Sequence, residues 1–537
     1  RRLSDKEGLQ KGYVTREAWR KAMWGYGDLR AMNSSAVLTT GPGVIRYDEF
    51  PDMDHVGWQN VAKRFTEKGK LGAYDIKAQT GVKKVASPVV ARLKAAWEIG
   101  AVYHHNLPHL FLEHRGNINP EVIGQWAVDL WADQSIPLES KLAIFNDNEL
   151  DHVDAFGADM MKNRQYIVNN QVKVEVSNET WNNAPPFSRQ GKYFRRKLPF
   201  VAEQMGRPEL PRAARPHIAQ TGYDLTKAIA RLRKKYPAIE WRGVMAVQTN
   251  WLTRMNNATN PGPKTELGEY NYGLHSLMTG YRLFWEDYAN NREEWSKLYA
   301  SEPQRAGDWF EAQGTTYFKL SSKLPDLKTH LGGIPPEELQ ARTADKAEWP
   351  KLRAELLDFF INTPRTGRSI NDEHGEPTMT STLDGNRHLY QTLAQSAAYY
   401  GMQVASYEGG SHVDWGNYYK RRVREFPEIK AFFLDFHNSV EMGVIQAAAH
   451  DAAVAAGWKT LADFSLVNGS GGYNNFGTRR YFEDANPRYC EYARWMPAKP
   501  KVSEALKDVS GLISPHARCG DMIDYLNQAK ANGYYVK

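Results

Sequence analysis

The sequence predicts an α/β fold, a (β/α)8 TIM barrel with a large, mainly helical insertion between the sixth and seventh strands. Short apolar runs alternate with longer helical patterns, as in repeated βα units around a parallel sheet. The expected strands end in polar residues or glycine, and active sites of such barrels lie where the strands end. Roughly 120 residues separate the sixth expected strand from the seventh, whereas a βα unit needs about 30. That excess predicts the insertion.

The individual elements follow from these patterns in chain order. Strands are expected at short apolar runs that stop at a polar residue or glycine: residues 27–33, 101–109, 172–179, 242–250, 275–281, 402–410 and 461–469. Helices are expected where apolar residues recur every three or four positions: residues 87–100, 119–133, 223–237, 387–401 and 429–457, the last broken once. An open doubly wound sheet would present similar strand ends. No Gly-x-Gly-x-x-Gly follows an early strand, which disfavours a dinucleotide-binding fold.

The predicted organisation has four parts. Residues 1–283 would form the first part of the barrel, 284–375 the helical insertion, 376–500 the last part of the barrel and 501–537 a C-terminal extension. The insertion is expected to be helical because its segments "PQRAGDWFEAQG", "PPEELQARTADKAEW" and "WPKLRAELLDFFINTP" all resemble helices. Such a subdomain would lie beside the mouth of the barrel or bind a protein partner.

Composition sets broad limits on function. The chain has 537 residues, of which 42% are hydrophobic, which is ample for a large core. The net charge of +7 is spread thinly, and the basic runs 192–197, 231–235 and 418–424 fit solvated helix faces or a surface for an acidic partner. None has the pattern of a nucleic-acid-binding module, so no nucleic acid is expected. No run of 18 apolar residues predicts a membrane span.

The two cysteines leave the compartment open, and the first residue of the chain bears on it. Cys490 and Cys519 could form a disulfide, but two cysteines in a chain of this length do not make a disulfide scaffold. The chain begins at Arg1, as expected if an export signal has been removed. An extracellular or cell-surface location is therefore expected.

Two glutamates occupy matching positions at strand ends. Glu179 follows Asn178 in "VEVSNETWNN", and Glu408 follows Tyr407 and precedes two glycines in "SYEGG". Strands of one barrel would bring the two carboxylates together across its mouth, and a pair of carboxyl groups is what glycoside hydrolysis requires. Trp181 is a candidate wall against the sugar ring. Tyr407, or Tyr281 at the end of the sixth expected strand, could donate a hydrogen bond that keeps the nucleophile ionised.

These motifs resemble the fourth- and seventh-strand motifs of clan A glycoside hydrolases, which are retaining (β/α)8-barrel enzymes. In particular, the chain resembles poorly characterised bacterial glycosidase-like proteins that carry S-N-E-x-W-N and Y-E-G-G. The resemblance covers roughly residues 25–280 and 385–495. It implies that Glu179 is the acid/base, Glu408 the nucleophile and Asn178 the ligand of the sugar 2-hydroxyl.

The same resemblance implies further residues around the substrate. "LRAMN" and "NLPH" resemble the ends of the second and third strands, so Arg30, Asn106 and His109 would line the subsites. The last expected strand ends at Asn468, where many clan members carry a tryptophan, and Asn468 is a further substrate-binding candidate.

Each candidate also has a structural interpretation. Glu179 could cap a following helix, Arg30 could form an ion pair, and His109 could be a core histidine. His104 and His105 are neighbours on a strand and point to opposite faces, so they cannot share one metal site. Residues 146–154 lack the glycine and the closing glutamate of a calcium loop. No metal and no cofactor are expected.

The function predicted from the sequence is a retaining glycoside hydrolase acting on a β-linked poly- or oligosaccharide. The alternative is a glycosidase-derived carbohydrate-binding or structural subunit of a larger assembly with little or no catalysis. Retention of both carboxylates and of Asn178 favours the enzyme, because a barrel without activity has no physical need for them.

Overall fold

The structure is a computed structural model of the chain. It describes residues 28–31, 93–94, 96–97, 101–107, 153–154, 156–176, 180–181, 195, 206, 216–248, 252–254, 265–298, 308–313, 316–319, 336–362, 383–407, 409–412, 427–461, 484–495 and 515–534.

A parallel sheet organises the described residues. Its six strands lie in the order β1-β2-β3-β4-β7-β9, and every pair is parallel. The strands are β1 Asp28–Ala31, β2 Val102–Leu107, β3 Gln171–Val176, β4 Glu240–Gln248, β7 Trp309–Gln313 and β9 Gln403–Tyr407. Two small sheets accompany it: β5 Leu252–Arg254 pairs antiparallel with β6 Glu269–Asn271, and β8 Thr316–Lys319 pairs with β10 Gly410–His412.

The prediction of an eight-stranded barrel is wrong for the part of the chain that the structure describes. No closed eight-stranded barrel is present there, and helices dominate the described elements. β9 pairs with β7 and, beyond it, makes only a single parallel bridge from Ala405 to Thr460. The expected last strand, residues 461–469, lies almost entirely outside the described residues, as does the expected helix at 119–133.

The sixth expected strand was also assigned incorrectly. Residues 275–281 belong to a helix, α2, which spans Tyr272–Asn290. Its apolar residues Leu274, Leu277 and Tyr281 are buried and recur every three or four positions, which is the period of a helix. Asn271 caps this helix, since its side chain accepts a hydrogen bond from the backbone N–H of Leu274 (2.7 Å).

The predicted helical insertion is likewise corrected. Within residues 284–375, strand β7 lies in the main sheet between β4 and β9, so this segment is not a helical addition between consecutive strands. Phe310 and Ala312 of β7 are fully buried and lie two residues apart, so they share one face of the strand. The segment also contributes helices that pack on the C-terminal half of the chain.

Besides the helical residues 93–94, 96–97, 153–154, 156–162 and 195, the described residues include ten α-helices with defined bounds. They are α1 Pro216–Lys235, α2 as above, α3 Arg292–Leu298, α4 Pro336–Ala344, α5 Trp349–Asn362, α6 Leu383–Tyr399, α7 Pro427–His437, α8 Val440–Ala455, α9 Pro487–Ala493 and α10 Pro515–Ala531. The predicted break in the segment 429–457 is confirmed by the interruption between α7 and α8, where Ser439 caps α8. None of the helices within the described ranges combines the length and apolar character needed to cross a bilayer.

Helices α1 and α2 pack in unusually close contact. A Cβ added at Gly280 would lie 1.6 Å from the carbonyl oxygen of Ala219, and one added at Gly222 would lie 2.0 Å from that of Leu277. Both glycines are therefore needed because the two backbones approach closely, with no room for a side chain.

A buried aspartate ties the strands together at the amino edge of the sheet. Oδ1 of Asp308 accepts hydrogen bonds from the backbone N–H of Gly243 (3.0 Å) and from Nη2 of Arg233 (3.0 Å). The carbonyl oxygen of Asp308 accepts from the backbone N–H of Gln403 (2.9 Å). Burial raises the pKa of the Asp308 carboxyl to about 6, against the lowering effect of Arg233 and the Gly243 N–H. The edge is thus held by a carboxylate that is costly to ionise.

A polar network joins the three C-terminal helices. Asp451 of α8 accepts from Nη1 of Arg494 (3.0 Å) and from Nζ of Lys530 on α10 (3.0 Å). A disulfide between Cys490 of α9 and Cys519 of α10 links the same helices, which answers the question that the sequence left open. The hydrogen bonds and the positive charge of Arg494 hold the pKa of Asp451 below its ordinary value, although burial opposes them.

Candidate functional site

The carboxyl ends of the six parallel strands form the edge to which the two glutamate motifs belong. β3 ends at Val176, three residues before Glu179, and β9 ends at Tyr407, directly before Glu408. Because both strands belong to one sheet and run in the same direction, their carboxyl ends meet the same edge. Asn178, Glu179 and Glu408 themselves lie outside the described residues.

Two further candidates lie near the same edge. Arg30 is the third residue of β1, which has four residues, and Asn106 precedes the last residue of β2. The register pairs Arg30 with His104 and Asn106 with Glu175, so the backbones of both candidates align with polar positions of the neighbouring strand. His109 and Asn468 lie outside the described residues.

The chain immediately after Glu179 is anchored to the beginning of helix α1. The hydroxyl oxygens of Thr180 and Thr221 lie 3.2 Å apart, and both residues are buried. Trp181 is only 6% exposed and belongs to the main hydrophobic core. Little of the indole surface is left for a sugar, because the ring packs in the core.

Tyr281 does not lie at a strand end. It is buried in α2, one residue after Gly280, in the helical layer that packs on α1. The proposal that it donates to a nucleophile rested on the strand assignment, which is wrong. Tyr407 is the tyrosine that closes a strand of the sheet, and it is in register with Gln313 of β7.

A buried histidine–carboxylate pair joins strands β2 and β3. Nε2 of His104 on β2 lies 3.4 Å from Oε2 of Glu175 on β3, and both side chains are almost fully buried. The neighbouring His105 points to the other face, where its Nδ1 lies 2.9 Å from the Tyr103 hydroxyl and its ring stacks on Phe156. The prediction that His104 and His105 cannot serve one site is confirmed. Among the described residues, no cluster of His, Cys, Asp or Glu could hold a metal ion.

Register also aligns four basic residues in one row across the sheet, the polar row. Sequence reasoning missed this row. Arg30, His104, Lys173 and Arg242 are paired strand by strand from β1 to β4. Glu175 lies on the same strand as Lys173, two residues closer to the carboxyl end of β3. Like charges on neighbouring strands repel, so a carboxylate at this place offsets part of the positive charge. The only available signal in the sequence was the alternation within "VKVEV", which does not identify the neighbours of each strand.

Comparison with known proteins adds no further assignment, since no family model, no curated protein and no solved structure matches the chain. Several of the polar candidates belong to or follow strands whose carboxyl ends lie at one edge of a parallel sheet, which is the place where open and closed α/β sheets alike bind their ligands.

Proposed function

We propose that the protein is a retaining glycoside hydrolase acting on a β-linked poly- or oligosaccharide. The observation that carries the proposal is that "SNET" directly follows β3 and that the glutamate of "YEGG" directly follows β9, two parallel strands of one sheet. Two carboxylates on one ligand-binding edge are the requirement of glycoside hydrolysis. The motifs also resemble those of retaining glycosidases, as set out above.

The reaction has two steps in this proposal. Glu408 attacks the anomeric carbon while Glu179 donates its proton to the departing glycosidic oxygen, which leaves a glycosyl ester on Glu408. Glu179 then takes a proton from water, the resulting hydroxide attacks the same carbon, and Glu408 departs as a carboxylate. Asn178 would bind the 2-hydroxyl, and Tyr407 would donate a hydrogen bond to the nucleophile.

The sheet imposes a condition on this mechanism. β3 and β9 are separated by β4 and β7, which amounts to about 14 Å across a flat sheet at the usual strand spacing. Carboxyl groups in retaining enzymes are about 5–5.5 Å apart, and in inverting enzymes about 6.5–9.5 Å. The proposal therefore requires that the edge curves and that the two glutamates lean toward each other. Proton NMR of the first product anomer tests this requirement, since retention demands the shorter distance.

Variants of the two glutamates test the assignment directly. Glu408→Gln should lower kcat/KM on an activated aryl β-glycoside by at least about a thousandfold, because no covalent intermediate can form. Glu179→Ala should slow substrates with poor leaving groups most, and azide should restore part of the activity because it needs no base. Glu337→Gln, an exposed glutamate of α4, is the matched control. Full activity of Glu179→Ala on an unactivated substrate would overturn the acid/base role.

The strand order also favours one alternative, a carbohydrate-binding subunit that has lost catalysis. If the edge stays flat, the two carboxylates stand too far apart to act together, while the polar edge could still bind a glycan. Wild-type protein that binds polysaccharides and hydrolyses none of them would establish this alternative. A protein partner at residues 284–375 remains a prediction, now to be sought on the exposed residues of α4 and α5.

We also propose that the protein works outside the reducing cytosol. The Cys490–Cys519 disulfide supports this location, because structural disulfides persist in oxidising compartments. Thiol labelling of protein taken directly from its native compartment tests the proposal. Two free thiols there would contradict it.

A further inference from the structure

Trp495 is an exposed aromatic residue whose ring is held in place. It is the second residue after the end of α9 and is 45% exposed. Its Nε1 donates a hydrogen bond to Oε1 of Glu491 (2.7 Å), and the guanidinium carbon of Arg494 lies 5.0 Å from the ring centroid. The Nε1 edge of the indole and a position 5.0 Å from the ring centre are thus occupied within the protein, while 45% of the residue stays exposed.

The groups that hold this ring are themselves buried. Glu491 is fully buried, and its Oε2 lies 2.5 Å from Nδ1 of the buried His450. Arg494 is fixed by Asp451, with 3.0 Å between Nη1 and Oδ2. A ligand that stacks on the indole therefore finds the ring already ordered, and binding forfeits little side-chain entropy.

The helices whose side chains hold Arg494 also carry an exposed apolar residue and a cation. Val454, 40% exposed, lies three residues after Asp451 and so on the same face of α8. Lys530, whose side chain is half exposed, reaches Asp451 from α10. Among the described residues, the exposed large apolar side chains are Tyr399, Val454 and Trp495. A tryptophan and a valine offer far less than the roughly 800 Å² per partner that a stable protein interface buries, and one indole ring suits one or two sugar rings.

We propose that Trp495 is a surface platform for a β-linked glycan, separate from the carboxyl edge of the sheet. The apolar C–H face of a pyranose stacks on the free face of the indole, and its hydroxyls accept hydrogen bonds from rim cations such as Lys530. The glycan class rests on the proposed function. Such a platform would hold a long chain on the protein while the edge of the sheet acts on it.

Affinity gel electrophoresis of the full chain tests the platform. The gels contain mixed-linkage β-glucan, xylan, β-mannan or β-galactan, and retardation is measured against polysaccharide concentration. Trp495→Ala should need about tenfold more polysaccharide for equal retardation, the loss expected from about 1.4 kcal/mol of stacking. Trp495→Phe keeps a ring without the N–H donor and should retain most of the binding. Tyr399→Ala, which removes another exposed aromatic residue, is the matched control and should bind as wild type.

Each result has a defined meaning. The proposal is overturned if Trp495→Ala is retarded like wild type, if Tyr399→Ala loses as much binding, or if no polysaccharide retards the wild-type protein. It is also overturned if Trp495→Ala instead abolishes self-association in size-exclusion runs without polysaccharide, which would make this face a protein interface. Retardation needs no bond cleavage, so it is measured in Glu408→Gln protein as well. Failure of hydrolysis and failure of the platform are therefore distinguishable.

Discussion

Substituting Asp308 by asparagine isolates the energetic effect of one buried charge at the amino edge of the sheet. The folded protein holds the proton of this carboxyl with a pKa of about 6, against an ordinary value of 3.8. A group whose pKa is raised on folding stabilises the folded state as pH falls through the folded value. The difference corresponds to about 3 kcal/mol, gained fully below about pH 4 and lost above pH 6.

Asparagine keeps an oxygen that can accept from the Gly243 N–H and removes the titration. The free energy of unfolding of wild type minus that of Asp308→Asn should therefore fall by about 3 kcal/mol between pH 4 and pH 7.5. Urea denaturation followed by tryptophan fluorescence at several pH values measures this difference. Asp521→Asn, at an exposed residue of α10, controls for the loss of one negative charge. A difference that stays constant with pH, or that rises, would refute the reasoning.

Three further predictions concern packing, cross-linking and charge. Gly280→Ala should lower the unfolding free energy by about 1–3 kcal/mol, because the new methyl group meets the backbone of α1. Gly520→Ala, which lies in open space on α10, should be neutral or stabilising, and thermal melts compare the two variants. Reducing the Cys490–Cys519 disulfide, which spans 29 residues, should destabilise the C-terminal helices by about 3–4 kcal/mol, measured as earlier hydrogen exchange in α10. Asp451→Asn should remove stability that wild type has at neutral pH and loses as pH falls through the lowered pKa, so the two proteins should converge in acid.

Much of the strand layout could be predicted from local pattern alone. The runs at 27–33, 101–109, 172–179, 242–250 and 402–410 all overlap strands of the main sheet. Their starts were predicted to within two residues. For example, β4 begins at Glu240, whereas the predicted strand began at residue 242.

The errors have a common physical origin. The window "HSLMTGY" has seven residues, which is too short to distinguish a strand from a helix. The cap at Asn271 before it and the continuation to Asn290 after it show that the segment is a helix. In "DWFEAQ", the alternation of Phe310 and Ala312 spans only five residues. That strand forms because β4 and β9 lie on either side of it, and this is tertiary information that no local window contains.

Register explains why the polar row could not be foreseen while its members could. Alternation within β3 predicts that Lys173 and Glu175 share one face and that the valines share the other. A slip of one residue against β2 would turn Lys173 toward the helices and move three valines into the polar row. Val172, Val174 and Val176 are buried in the core, so the observed register is the one that keeps them there. The pairing of His104 with Lys173 and the contact of His104 with Glu175 are thus consequences of burying three valines. The hydrophobic face of β3 therefore determines where the polar residues on its opposite face lie.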